Sequence, residues 1–269
     1  MREKAIGLML RLLGALGWHG PFSPARGRAR TWMGTGTSNG ESPRPVSRRA
    51  RIELELRELH ALRCIVRVPA LEPSSELPLL CFLHGYDEGA PVDIIDALTR
   101  HGPLREGNPR EWIDRFVIVA PQLPVRGDLW RRYAAAVREI VLAEAWRYRC
   151  DVTRLYLTGF SFGANGVFDL ALEQPDLWSA AWAVDPTRVP PRALEVPVWV
   201  SIGQASRHQA SAFVRRLSLA ESGHDTDRVW TDEGADHVGT ARRAYRNPQV
   251  YEWLLRQVRD EEAGQDVTE

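Results

Sequence analysis

Leu155-Tyr156-Leu157-Thr158-Gly159-Phe160-Ser161-Phe162-Gly163-Ala164 is the stretch that decides the reading of this chain. Its first four residues are apolar and β-prone, and the run from Ala164 to Glu173 has helical character. Between the two stands G-x-S-x-G. A strand that turns directly into a helix forces the central residue into strained backbone angles, so small residues are needed around it. The serine hydroxyl then stands clear at the end of the strand. The N–H of the next residue, Phe162, lies at a helix N-terminus, where it can stabilise an oxyanion. Ser161 is therefore the candidate nucleophile and Phe162 a candidate oxyanion donor. The bland alternative is a glycine-rich turn with Ser161 as a helix N-cap.

Outward from this turn the chain alternates between strand-like and helix-like runs. Ile52–Leu56 and Leu62–Val68 form an expected opening hairpin. Leu79–Leu83, Phe116–Ala120, Ala180–Val184 and Val198–Ile202 are short apolar runs of the kind found in buried parallel strands, and Arg228–Thr231 is the last expected strand. Helices are expected over Val92–Thr99, Asp128–Arg147 with Asp128 as N-cap, Gln209–Ala220, and Thr240–Val258. The fold class is α/β, a mostly parallel central sheet with helices on both faces, and ligands of such sheets bind beyond the C-terminal ends of the strands.

The chemistry is thus expected in the loops after the strands. Leu79–Leu83 runs into His84-Gly85-Tyr86-Asp87-Glu88-Gly89. Gly85 lets the backbone approach a substrate, the N–H of Tyr86 is the second candidate oxyanion donor, and His84 orients the loop. The general base belongs in a loop near the end, because the order in this arrangement is serine, acid, histidine. His237, after the last strand in Glu233-Gly234-Ala235-Asp236-His237, fits that place, and His19, His60, His101, His208 and His224 fit it less well. The acid is harder to place, since Gly203-Gln204-Ala205-Ser206-Arg207-His208 holds no carboxylate. Asp185, at the end of the preceding strand, is the candidate, because neighbouring strands lie only about 5 Å apart. Asp232 and Asp236 are alternatives, and a site without an acid is a third reading. Phe160, Phe162 and Trp130 are candidate walls of an apolar acyl pocket, or else core aromatics.

Composition bounds the remaining possibilities. The chain has 269 residues, is 44% hydrophobic and 26% charged, and its formal net charge is zero. That size and composition suit one α/β domain with a large core, and the charge balance argues against nucleic acid or an acidic membrane surface as partner. Lys4 is the sole lysine, an arginine bias that suits a GC-rich bacterial genome. Three cysteines, Cys64, Cys81 and Cys150, give neither a disulfide framework nor metal-ligand spacing, so no metal is expected and the compartment is read as reducing and cytoplasmic. Residues 1–50 differ in character. An apolar run, Ile6–Leu16, is broken by Arg11 and is too short to span a bilayer, and residues 20–51 are rich in Arg, Gly, Pro, Ser and Thr. The readings are a disordered extension, an export or membrane-surface segment that would make the protein exported, and a misassigned start. The domain is expected over residues 51–262, with 263–269 a tail. No cofactor is implied, the partner is a small acyl molecule, and oligomeric state is left open.

Residues from about Leu77 to Gln257 resemble α/β-hydrolase esterases of the dienelactone hydrolase, carboxylesterase and predicted-peptidase type, including polyhydroxybutyrate-depolymerase-like proteins. The matching pieces are Phe82-Leu83-His84-Gly85, Val119-Ala120-Pro121-Gln122-Leu123-Pro124 with Trp130, and Asp151 through Gly163. Pro175-Asp176-Leu177-Trp178 and Tyr251-Glu252-Trp253-Leu254-Leu255 are also similar, and the order of the pieces agrees. The resemblance implies a cofactor-free serine hydrolase acting on esters or related acyl compounds. Two departures stand out. Ser206 occupies the position where the family usually has Asp, and Phe162-Gly163-Ala164 replaces the frequent Met-Gly-Gly. The first departure keeps open a non-catalytic binding module, and a biosynthetic acyltransferase on the same serine and histidine is the other alternative.

Overall fold

The computed structural model describes residues 54–59, 62–69, 76–206, 208–219 and 229–260. The expectations for residues 1–50, for Ile52, and for the tail at 263–269 lie outside them. Among the described residues eight strands form one sheet in the order β1-β2-β4-β3-β5-β6-β7-β8. They are β1 (Leu54–Leu59), β2 (Leu62–Arg67), β3 (Leu79–Leu83), β4 (Val117–Gln122), β5 (Leu155–Phe160), β6 (Ala180–Val184), β7 (Val198–Gly203) and β8 (Val229–Asp232). β1 and β2 form the expected antiparallel hairpin and β2 joins β4 antiparallel, while every pairing from β4 through β8 is parallel.

The helices are α1 (Ile94–Arg100), α2 (Arg110–Ile113), α3 (Ala134–Arg147), α4 (Phe162–Glu173), α5 (Ala210–Arg216), α6 (His237–Ala244) and α7 (Pro248–Arg256). Alternation along each strand divides its residues between two cores. Leu79, Cys81 and Leu83 of β3 and Leu155 and Leu157 of β5 meet Val137, Ile140 and Val141 of α3 and Val167 and Phe168 of α4. Their strand neighbours Leu80, Phe82 and Tyr156 point the other way, into Ile94 and Leu98 of α1 and Val250, Tyr251 and Leu254 of α7. Both faces being covered explains why β3 to β7 are buried along their whole length and mostly apolar rather than alternating. All three cysteines are buried and free. Among the described residues no helix is long and apolar enough to cross a membrane.

Several boundaries depart from the sequence pattern for identifiable reasons. The closing helix expected over Thr240–Val258 is two helices. Pro248 lacks an N–H and disfavours helical geometry in the residue before it, so α6 stops and α7 restarts with Pro248 in its first turn. Asn247 caps the restart by accepting the Gln249 N–H at 3.0 Å. Asp128 does not cap the long helix, which begins at Ala134 after a 3-10 turn, Trp130–Tyr133. Its carboxylate ties that turn instead, accepting the Leu129 N–H at 2.7 Å and the Tyr133 hydroxyl at 2.9 Å. α5 ends at Arg216 rather than Ala220, because Ser218 takes a left-handed φ of 53° that closes the helix.

Candidate active site

β5 ends at Phe160, α4 begins at Phe162, and Ser161 is the single residue between them. Its φ of 58° and ψ of −115° lie outside the regions favoured by residues with a Cβ. The turn closes this tightly only because both flanking glycines lack side chains. A Cβ on Gly159 would sit 2.5 Å from the carbonyl oxygen of Gly163, and one on Gly163 would sit 2.0 Å from that of Leu83. The G-x-S-x-G spacing is thus what lets α4 pack directly against the ends of β3 and β5.

Three chain segments converge on the Ser161 hydroxyl. β6 delivers Asp185, whose backbone N–H donates to the Ser201 carbonyl of β7 at 2.7 Å. The loop after β8 delivers His237, the first residue of α6. His237 Nε2 lies 2.8 Å from Ser161 Oγ, and Nδ1 lies 2.5 Å from Asp185 Oδ2. An ionised carboxylate can only accept, so Nδ1 carries the proton and Nε2 is left as acceptor for the serine hydroxyl. The other carboxylate oxygen of Asp185 is held from behind by the Gly203 N–H at 3.2 Å and by the Ser206 hydroxyl. Ser206, at the position where the resembled esterases carry an acid, therefore donates a hydrogen bond to the carboxylate that approaches from one strand earlier.

The alternative acids are engaged elsewhere. Asp236 caps α6 through the Gly239 N–H at 2.7 Å. Asp232 accepts the Trp230 indole N–H at 3.2 Å, and its burial pushes its carboxyl upward.

The loop after β3 comes up against Ser161, since a Cβ on Gly85 would lie 3.6 Å from the serine Cβ. Phe162 opens α4 and Tyr86 opens a 3-10 turn, Tyr86–Glu88, so neither N–H has an acceptor within its own helix. His84 anchors the loop. Its Nε2 accepts the Leu123 N–H at 2.9 Å, which leaves the proton on Nδ1 to donate to the Gly85 carbonyl at 2.7 Å. Burial holds this imidazole at a pKa of about 4, so it is neutral at ordinary pH.

Two expected pocket walls are core residues instead. Trp130 is 1% exposed, its indole N–H donates to the His84 carbonyl at 3.1 Å, and its ring stands edge-on to the His84 imidazole. Phe160 is 3% exposed and lies between His237 and His101, with ring centroids 4.7 and 4.8 Å away. Phe160 backs the imidazole of His237, and Trp130 supports the loop from beneath. The exposed aromatic surface at this end of the sheet comes from Tyr86, whose half-exposed ring meets that of Phe162 edge-on at 5.5 Å.

Sequence reasoning missed one pair. Glu88 is buried and His101 partly buried beside the loop, with Glu88 Oε1 3.5 Å from His101 Nε2. Burial pushes the Glu88 carboxyl up and, reinforced by nearby arginines, holds His101 at about 4. No spacing rule joins residues on separate loops, so nothing in the sequence pairs them. Among the described residues no cluster of His, Cys, Asp and Glu is arranged to hold a metal ion.

The geometry can be set beside known structures. A thermostable esterase superposes with a TM-score of 0.59 at 22% identity, over 74% of this chain and 60% of the esterase. The chain thus spans less than two thirds of that protein. The feruloyl esterase module from Clostridium thermocellum, in complex with sinapinate, matches at 0.55 and 11% identity, over 78% of this chain and 89% of the module. An S-formylglutathione hydrolase from Agrobacterium tumefaciens matches at 0.52 and 14%, over 76% and 94%. The chain has the α/β-hydrolase fold. No protein-family model matches its sequence, and none of the curated proteins matches it. Within the α/β-hydrolase fold, a serine at the β5–α4 turn and a histidine after the last strand stand at the open ends of the strands, the usual place for ligands in such sheets.

Proposed function

We propose that the protein is a serine hydrolase that cleaves small or medium acyl esters through an acyl-enzyme on Ser161. The observation that carries this is the unbroken chain of contacts from Ser161 Oγ through His237 to the Asp185 carboxylate. His237 Nε2 takes the hydroxyl proton as Ser161 Oγ attacks the carbonyl carbon. The N–H groups of Phe162 and Tyr86 stabilise the oxyanion of the tetrahedral intermediate. As that intermediate collapses, His237 gives the proton to the departing alcohol. A water molecule then repeats the sequence on the acyl-enzyme and releases the acid. Asp185 keeps the imidazole in the required tautomer and stabilises its positive charge. The binding-module alternative drew on the lack of a carboxylate after β7, and the reach of Asp185 to His237 removes that support.

The segment Pro186–Pro197 between β6 and β7 is too short for a bulky cap. Asn165 ties it down by accepting the Thr187 N–H at 3.0 Å and the Arg188 N–H at 3.2 Å. The lack of a cap from this segment favours small and medium acyl groups over long lipid chains. The test is reaction with a fluorophosphonate, followed by peptide mass spectrometry and turnover of p-nitrophenyl acetate and butyrate. An adduct on Ser161, and loss of at least about 10⁴-fold in kcat on Ser161→Ala, are expected. A Ser161→Ala protein that keeps wild-type turnover refutes the reading. Adding a small alcohol or amine separates hydrolysis from acyl transfer, which would divert most of the acyl group to the acceptor.

A further inference from the structure

Glu88 is 3% exposed, and the acyl-transfer steps make no use of its carboxylate. A buried carboxylate is costly unless its oxygens are bonded. Oε2 accepts the Gly85 N–H at 2.6 Å, and Oε1 faces His101. The backbone of Glu88 is fixed as well, its carbonyl accepting Gln122 Nε2 at 3.0 Å from the end of β4. The Glu88 side chain therefore closes a small ring across its own turn, and the Gly85–Tyr86 peptide is part of that ring. Gly85 is also the point where this loop touches the nucleophile. A Cβ there would lie 3.1 Å from Glu88 Oε2 and 3.6 Å from Ser161 Cβ.

We infer that Glu88 is a positioning residue for the oxyanion site: by gripping the Gly85 N–H it sets the Gly85–Tyr86 peptide, and so aims the Tyr86 N–H at the developing oxyanion. The inference rests on the acyl-transfer reading of Ser161. It requires an acceptor at the reach of a Glu side chain and does not require a charge. Glu88→Gln keeps that reach and an acceptor oxygen. Glu88→Asp keeps the charge but is one methylene too short to hold a 2.6 Å contact without moving the loop.

An oxyanion donor acts on the transition state, so its misplacement lowers kcat and leaves KM nearly unchanged. Glu88→Gln should stay within about threefold of wild type, and Glu88→Asp should lose roughly 10- to 100-fold in kcat, part of what a whole donor contributes. Affinity for a trifluoromethyl ketone, which forms a tetrahedral oxyanion on Ser161, should fall by the same factor as kcat/KM. The amide proton of Gly85, followed by NMR in the full chain, should resonate far downfield in wild type and Glu88→Gln and move upfield in Glu88→Asp.

Unchanged kcat in Glu88→Asp despite a shifted Gly85 amide overturns the inference, because the bond would then be structural only. Equal losses in Gln and Asp variants also overturn it, by showing that charge matters more than reach. Absence of ester turnover in wild type, with the Gly85 amide downfield, overturns the acyl-transfer reading itself and this role with it.

Discussion

Replacing Asp185 by Asn alters one atom and should remove most of the activity. The direction of the new amide is fixed by the protein. One side of the carboxylate faces His237 Nδ1 at 2.5 Å, and the other accepts the Gly203 N–H at 3.2 Å together with the Ser206 hydroxyl. The Gly203 N–H is shared with Ser206 Oγ at 3.0 Å but still points at that side, so an NH₂ placed there would face a donor; the Asn oxygen takes the Gly203 side, leaving its NH₂ pointed at the imidazole. Nδ1 must then accept, the proton moves to Nε2, and the nitrogen 2.8 Å from Ser161 Oγ no longer accepts the hydroxyl proton. Such a tautomer reversal lowered kcat about 10⁴-fold in a serine protease, equivalent to about 5.5 kcal/mol of lost transition-state stabilisation. The fold should tolerate the change, because Asn matches Asp in shape and keeps the contact to Gly203. The assay is kcat and KM for p-nitrophenyl butyrate, with Tm measured in parallel. A folded Asp185→Asn protein whose kcat lies within tenfold of wild type would refute the argument and remove Asp185 from the mechanism.

Two further predictions test the elbow and the histidines His84 and His101. Gly163→Ala places a methyl 2.0 Å from the Leu83 carbonyl oxygen, which forces α4 off β3. The cost should be at least about 3 kcal/mol, a fall of about 6–12 °C in Tm by calorimetry, and an unchanged Tm would contradict the packing described. Acid should destabilise the protein through His84 and His101, each held at about 4 against an ordinary value of about 6.5. The native state keeps both neutral, so below pH 6.5 the unfolded chain binds more protons. Stability from this source is complete above about pH 6.5 and is lost as pH falls toward 4, by up to about 3 kcal/mol per histidine. Burial raises Glu88 and Glu144 and contributes with the opposite sign in acid, so the informative quantity is a difference. Urea titrations of wild type and His101→Leu between pH 4 and 6.5 should differ in slope by up to one proton, and identical slopes would exclude the effect.

Much of this molecule is local enough to be legible in its sequence. The strand, turn and helix around Ser161 are one contiguous stretch, and Gly159 and Gly163 show why the turn exists without knowledge of anything distant. β3 and β6 were expected with the boundaries they have, because strands covered on both faces must be apolar throughout. His237 could be placed by chain order alone. Other features depend on which distant groups meet. Asp185 could be named as a candidate because β6 precedes β7. Its preference over Asp232 and Asp236 comes from parallel pairing of β6 with β7, which sets it beside Gly203, Ser206 and His237. Trp130 and Phe160 looked like pocket aromatics, since a hydrophobic ring has the same sequence signature whether it lines a cleft or fills a core. Nothing in the sequence marks Glu88, and its burial arises only when β4 and the loop carrying His101 close around it. The sequence by itself determined the elbow, the two-layered covering of the sheet, and the candidacy of Ser161 and His237, because each is written in neighbouring residues or in chain order. The tertiary structure alone decided which carboxylate faces His237, which aromatics are buried, and what holds the loop after β3, because those outcomes depend on contacts between segments that periodicity and spacing do not encode.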